Sequence, residues 1–334
     1  MLQYIIKRLL YMIPTLIGIT IITFAIIKLA PGDPSRQFDQ AGGTVAQKNQ
    51  QVASENIEEF RRLYGLDLPL QEQYFRWVKK LVTFDFGRSI VYRNYKVSDL
   101  LWERLKVTLQ ISVVSVFLIY LLAIPLGVFL AVKEGTWVDR SITLGLFVLY
   151  SIPSFVMGSL AVIYLASAEY LSWFPTRGIQ SPDLPQDAAF MTFAIDRLHH
   201  LALPILTTAL TGMTYLAMQM RGGMLEVLRQ DYVRTARAKG LTERVVVFKH
   251  AMRNSLIPIL TIFSSVLPVL IGGSVITEQV FQVDGMGKFG FEAVLFRDYN
   301  VIMAETFLSA ILTLLGILIS DILYVLVDPR ITFD

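Results

Sequence analysis

Residues 229–258 read RQDYVRTARAKGLTERVVVFKHAMRNSLIP, a polar, basic island between two long apolar segments. Such a stretch lies outside the hydrocarbon layer, where charged side chains are expensive. From Arg221 to Arg253 it holds eight Lys/Arg (Arg221, Arg229, Arg234, Arg237, Lys239, Arg244, Lys249, Arg253) against three acids, Glu226, Asp231 and Glu243. That excess in a short loop places it on the cytoplasmic face of a membrane. Tyr232–Lys239 contains no helix breaker, and Gly240 follows a basic residue, the usual way a short helix stops at a left-handed position. Ala236, Ala238 and Gly240 are small, so this helix is expected to enter a partner's groove with close backbone approach. A second helical pattern, Glu243–Asn254, puts Val246, Val247, His250 and Ala251 on one face. Two short helices joined by a glycine turn read as a docking device; the plain alternative is a basic loop resting on anionic lipid heads.

The composition around this island agrees. Of 334 residues 54% are hydrophobic and only 17% charged, with the apolar residues in uninterrupted runs, which describes a polytopic membrane protein. A formal net charge of +3 gives no basis for a nucleic-acid partner. There is no cysteine, which excludes disulfides and thiolate chemistry.

Six spans are expected, with both ends cytoplasmic. Lys7 and Arg8 precede an apolar run from Leu9 to about Ala30, long enough at roughly 33 Å to cross a bilayer. It lacks a small-x-small cleavage site and is kept as an uncleaved anchor. Val107–Val132 returns inward, bent at Pro125 and Gly127, and Ile142–Ala168 goes out with Pro153 inside it. Leu201–Met220 leads in to the basic loop, Leu256–Thr277 leads out through Pro258, Pro268 and Gly272-Gly273, and Val301–Val327 crosses back to Asp328-Pro329-Arg330. The external loops 169–198 and 281–300 hold two basic residues each, against eight in the cytoplasmic loop. The chain therefore divides into 1–30, an external helical insertion 31–106, and a five-helix core 107–334 carrying the loop 221–255. In the insertion, Ser35–Ser54 reads as a flexible loop, and Glu55–Tyr64 and Leu70–Val82 as amphipathic helices. Its aromatic residues either rest on the lipid interface or form a landing surface for a substrate-delivering protein.

Chemistry of its own is hard to find in the chain. The nearest approach to a phosphate-binding loop, Gly285-Met286-Gly287-Lys288-Phe289, has Gln282 where the first glycine belongs and Phe289 where Ser or Thr belongs. Energy must come from another subunit. His199, His200 and His250 do not make a metal site. Ser151, Ser154 and Ser159 lack His or acidic partners in sequence reach, and the rival reading of a membrane-embedded hydrolase would need such a partnered nucleophile or a paired acid. Glu278, Glu305 and Asp321 stand near span ends, which argues against a proton-coupled transporter built around a midplane ionisable group.

The basic loop resembles the EAA loop of ABC-importer permeases of the dipeptide/oligopeptide type. Ala236 and Gly240 match the second Ala and the Gly of that pattern; Arg234 and Thr235 stand in place of Glu and Ala, and His250–Arg253 in place of Ile-x-Leu-Pro. The peptide-importer branch is similar to this chain in TARAKGLTER with HAMRNSLIP, in APGDP, in YGLDLPL, in FDFGRS and in GGSVITE with VFQVDGMG. The tail SDILYVLVDPRITF and WFPTRG look most like the Yej-type branch.

The resemblance implies an all-α, six-helix type I importer domain in the inner membrane of a bacterium. It implies a second homologous permease, two cytoplasmic ATPases that bind ATP and Mg, an external binding protein and a peptide substrate, with no cofactor or metal in this chain. Related permeases serve nickel and sugars, which stays as the alternative substrate class. It assigns ATPase coupling to Arg229, Asp231, Tyr232, Arg234, Thr235, Ala236, Arg237, Ala238, Lys239, Gly240 and Arg253. The translocation path and its gate fall to Pro153, Gly272, Gly273, Ser274 and Glu278, and binding-protein docking to Tyr74, Trp77, Phe84 and Phe86.

Overall fold

The computed structural model describes residues 2–29, 58, 62, 65, 67–185 and 187–327. The loop expected over Ser35–Ser54, nearly all of the helix expected over Glu55–Tyr64, and Asp328-Pro329-Arg330 lie outside those residues. Helix α1 (Leu2–Leu29) begins earlier than the apolar run and carries Lys7 and Arg8 within it. Helix α2 (Leu70–Val82) coincides residue for residue with the expected amphipathic element. Pro69 sets its start, because proline has no N–H to leave unsatisfied at a first turn and its carbonyl accepts Gln73 N–H at 3.0 Å.

Helix α3 (Val97–Val132) has 36 residues and starts ten before the expected Val107. The segment SDLLWERLK favours helix and extends α3 to about 54 Å, so it stands well clear of a hydrocarbon layer of roughly 30 Å. Helix α4 (Trp137–Ser151) is capped by Thr136, whose hydroxyl accepts Asp139 N–H at 3.3 Å.

The third span departs from expectation. Instead of one helix with a proline inside, α4 ends at Ser151, Ile152 is extended, and Pro153 opens α5 (Ser154–Ala161) and the wider-wound turn Val162–Ala166, bent by 90° from α4. Two effects combine here: proline disfavours helical backbone at Ile152 and removes the donor that would continue the ladder. The freed start is satisfied locally, with Val156 and Met157 N–H both on the Pro153 carbonyl.

Helix α6 (Phe190–Leu228) is 39 residues long, overrunning the expected Leu201–Met220 at both ends. Then come α7 (Asp231–Ala238), α8 (Glu243–Val245), the wide turn Val246–Ala251 and α9 (Met252–Ser255). The fifth span is broken twice, into α10 (Ile257–Phe263), α11 (Val266–Gly272) and α12 (Val275–Val280). Pro268 lacks the N–H that Ser264 would have bonded, which explains the first break. At the second, Gly273 has φ +65°, open to glycine without penalty. Helices α13 (Met286–Leu295) and α14 (Tyr299–Val327) complete the order. Among the described residues five helices are long and apolar enough to cross a membrane, six with the bent pair counted as one span.

The chain forms two compact units. Among the described residues one comprises those within 106–288 and 312–327, the other those within 2–105 and 289–311. The second unit thus groups α1 and residues 289–311 with residues 67–105. In the first unit, α3 and α6 come together over Ala123, Leu130, Leu216, Ala217, Met220 and Met224, with Val247, Ala251 and Ile259 closing the same cluster. Gly127 permits this approach: a Cβ there would stand 2.6 Å from both the Ala217 carbonyl and Met220 Cβ. Gly127→Leu is therefore expected to separate α3 from α6 and to lower the midpoint of thermal unfolding in detergent by several degrees, at a cost of about 1–3 kcal/mol.

In the second unit, Tyr74 and Trp77 of α2 pack on Phe24 of α1, with ring centroids 5.5 and 5.9 Å away, and the Tyr74 hydroxyl meets Thr20 at 3.0 Å. Asp298 caps α14 through Val301 N–H. With its other oxygen it takes the Ser89 hydroxyl and the N–H groups of Ile90 and Val91. That cap holds the turn following FDFG.

Candidate functional site

Helix α7 is too short to be stable alone, so its placement comes from its inward face. Val233 and Ala236 point in, at 0% and 6% exposure, and pack with Val246 against Val227 and Leu228 at the end of α6. Asp231, Tyr232, Arg234, Thr235, Arg237, Ala238, Lys239 and Gly240 all face outward. Gly240 takes φ +77° and ends the helix, its N–H on the Arg237 carbonyl at 2.9 Å. Arg237 reaches across that turn to Glu243 at 2.7 Å, and Asn254 donates to the Tyr232 hydroxyl at 2.8 Å, tying α7 to α9. The second helical stretch buries Val246, Val247 and Ala251 as its pattern implied, with His250 half-buried.

One expectation is corrected. The Ala236 side chain lies inside this chain's own cluster, so smallness at 236 serves internal packing and not a partner's groove. Among the small residues it is Ala238 and Gly240 that stand on the outer surface. A Cβ at Gly240 meets nothing within 4 Å, so the demand there is conformational alone. Gly240→Val should leave membrane insertion intact and lower ATP-coupled transport, through a left-handed penalty of about 1–2 kcal/mol on the turn. Comparing uptake with the amount of inserted chain checks this.

The stem of the loop is held by charges that sequence reasoning left unpaired. Arg221 grips Asp139 through Nε and Nη2, both at 2.9 Å, and Arg229 meets Glu134 at 2.7 Å. Asp139 was missed, although Thr136-x-x-Asp139 has the spacing of a helix N-terminal cap pair. Arg253 takes its place on α9.

At the proposed gate, Gly272 ends α11, Gly273 is the left-handed break and Ser274 caps α12, accepting Thr277 N–H at 3.3 Å. Glu278 is buried within the chain, at 2% exposure. Its carboxylate accepts Lys288 N–H at 2.7 Å, the Thr108 hydroxyl at 3.0 Å and Ser274 N–H at 3.4 Å. Thr108 in turn accepts Met286 N–H at 2.8 Å. Glycine is needed on both sides, since a Cβ at Gly273 or Gly285 would land on that carboxylate. Pro153 opens α5, whose Gly158 lies against Val280 and Phe281. Thr108 had no motif to mark it.

Of the four expected docking aromatics, Tyr74 and Trp77 are turned onto α1. Phe84 is 59% exposed at φ +52°, and Phe86 is half-buried against it, with centroids 6.2 Å apart. Phe75, 70% exposed on α2, was overlooked. His199 contacts the Trp173 carbonyl and His200 the Asp196 carbonyl. Among the described residues no group of three His, Asp or Glu is placed to hold a metal ion.

Two family models match this chain: the binding-protein-dependent transport system inner membrane component over residues 123–333, and the N-terminal membrane component of the same systems over 1–112. The oligopeptide transport system permease protein AppB of Bacillus subtilis is 42% identical over 333 residues, covering 100% of both chains. The inner membrane ABC transporter permease protein YejB of Escherichia coli O157:H7 is 33% identical, covering 99% of each. Among solved structures, the inward-facing MetNI methionine ABC transporter aligns with TM-score 0.50 at 20% identity, over 68% of this chain and 96% of that one, a likeness of fold. The chain belongs to the binding-protein-dependent transport system inner membrane component family: it is a multi-pass, non-catalytic permease subunit of an ABC importer.

Proposed function

We propose that this chain is one of two related permeases of an inward peptide importer, driven by two cytoplasmic ATPases and supplied by an external binding protein. Support for a peptide substrate comes from the relatives named for oligopeptides and dipeptides. The Yej-type relatives stand at 33% and 30% identity, below the 42% of the App-type permease, so identity gives the Yej branch no preference.

One observation carries the coupling role. Helix α7 keeps its inner face locked by Val233, Ala236 and Val246 while a polar, basic outer face ending in a glycine turn is left uncovered. A lever must be rigid at its root and free at its contact surface, and α7 has both properties. Tyr232, Arg234, Thr235, Ala238 and Lys239 make the contact with an ATPase groove, and Asp231, Arg237 and Gly240 hold its ends. Ala236 supports the lever from inside, and Arg229 and Arg253 sit where it joins the spans. Pro153, Gly272, Gly273, Ser274 and Glu278 form the bent and broken segments beside the path, with Glu278 bracing the outer break. Phe84, Phe86 and Phe75 offer the aromatic surface for the binding protein, and Tyr74 and Trp77 hold α2 in place beneath it.

Purification of the tagged chain from mild detergent, with mass spectrometry of what accompanies it, tests this reading. A P-loop ATPase and a second six-span protein are expected. Recovery of the chain alone, still moving solute in vesicles without ATP, would contradict it.

A further inference from the structure

The coupling surface leaves one buried charge without a role. Asp139 is 3% exposed, yet it takes both prongs of the Arg221 guanidinium, the Gly135 N–H at 3.1 Å and the Thr143 hydroxyl at 3.3 Å. All of its acceptor capacity is spent on neighbours from two elements. A buried ion pair is weak evidence for stability, because an apolar pair of similar size often does as well. What a two-pronged arginine–carboxylate contact adds is a fixed distance and a fixed orientation between the elements that carry it.

The elements joined here are informative. Arg221 lies on the last turns of α6, just over two turns before Arg229, which ends that helix. Asp231 opens α7 two residues later, so these turns are the stem of the coupling helix. On the other side, Glu134 and Asp139 flank the start of α4, the first half of the bent third span. Arg229–Glu134 is an exposed second strut between the same two elements, and exposed pairs hold little by themselves. Asp139–Arg221 is the pair that can fix the corner.

We infer that Asp139 and Arg221 are positioning residues for coupling: they clamp the 133–139 corner to the stem of α7, so that a displacement of α7 moves α4 together with α6. This rests on the coupling role proposed for α7. Without the pair, α7 could still dock and the ATPases still turn over, but the third span would no longer follow.

The test uses the whole complex, with both permeases, the ATPases and the binding protein, reconstituted in lipid vesicles. Uptake of a mixture of labelled alanine oligopeptides is measured per ATP hydrolysed. Asp139→Asn leaves the half-buried Arg221 beside a neutral partner, so the deciding variant is Asp139→Asn with Arg221→Gln, which removes both charges. Uptake per ATP is expected to fall by about tenfold in that variant, with the complex recovered at wild-type stoichiometry. Exchanging the pair, Asp139→Arg with Arg221→Asp, is expected to recover part of the loss. An unchanged ratio in the doubly neutral variant overturns the inference. So does a fall in recovered complex with the ratio unchanged, since that is the signature of a merely structural contact. A wild-type complex that shows no ATP-dependent uptake overturns the functional reading itself, and the inference with it.

Discussion

Ala236→Glu is expected to abolish recovery of the ATPase with this chain while leaving the chain inserted in the membrane. Ala236 sits in a cluster with Val233 and Val246 that holds α7 on the end of α6. A carboxylate there would be a buried charge facing valines, with no cation inside the cluster. Leaving such a charge uncompensated costs on the order of 3–5 kcal/mol, more than an eight-residue helix can withstand. The helix would leave its seat, and its outer face would lose its orientation with it. The contrast is Arg234→Ala on the opposite face. Arg234 is exposed and its contact with Asp231 is 3.4 Å long, so truncation should shift stability by no more than about 0.5 kcal/mol. Any loss of ATPase recovery in that variant reports on the contact itself. Co-purification stoichiometry, measured beside membrane-inserted chain, separates the two cases. An Ala236→Glu chain that brings its ATPase down at wild-type stoichiometry means that the inner cluster does not place α7.

Glu278→Ala is expected to be strongly destabilising at the broken fifth span. Its carboxylate is the shared acceptor for Lys288 N–H, Ser274 N–H and the Thr108 hydroxyl, all in one compact unit. Removing it orphans the buried Thr108 hydroxyl and the part-buried Lys288 N–H, where an unsatisfied buried donor costs about 1–3 kcal/mol. A loss on the order of 3 kcal/mol should appear as a clear drop in the thermal midpoint in detergent. Gly273→Val and Gly285→Val should match it, because their new Cβ atoms would occupy the carboxylate's position. Glu278→Gln should fall between, since an amide keeps one acceptor oxygen and puts donors where donors already point. If Glu278→Ala melts like the wild type, the carboxylate is no brace.

These two sites show where sequence reading succeeds. Local patterns were legible: Leu70–Val82 matched to the residue, Gly240 took the left-handed turn, and Val246, Val247 and Ala251 formed the buried face. Each rests on periodicity or on a residue with few conformational options. Helix lengths were less legible, because hydropathy reports the part of a helix in lipid, whereas α3 and α6 continue as helices beyond it. Pro153 was visible, but whether a proline kinks a span or divides it depends on what receives the freed groups. The main correction concerns direction: Ala236 carried the right residue type for a surface, yet it is turned onto its own chain by Val233 and Val246. Asp139, Thr108 and Asp298 escaped notice for a related reason. Each has a partner between 82 and 209 residues away, and no single-sequence pattern connects such pairs.

The most direct test of the account is ATP-dependent uptake by the reconstituted complex. Vesicles containing this chain, its partner permease and the ATPases, with binding protein and labelled oligopeptide on the outer side and ATP on the ATPase side, should accumulate peptide. Accumulation should stop when ATP is withheld or when Ala236→Glu replaces the wild-type chain. Peptide accumulation that persists without ATP, or that runs at the wild-type rate with α7 unseated, would contradict the claim that this chain couples a partner's ATP hydrolysis to peptide import.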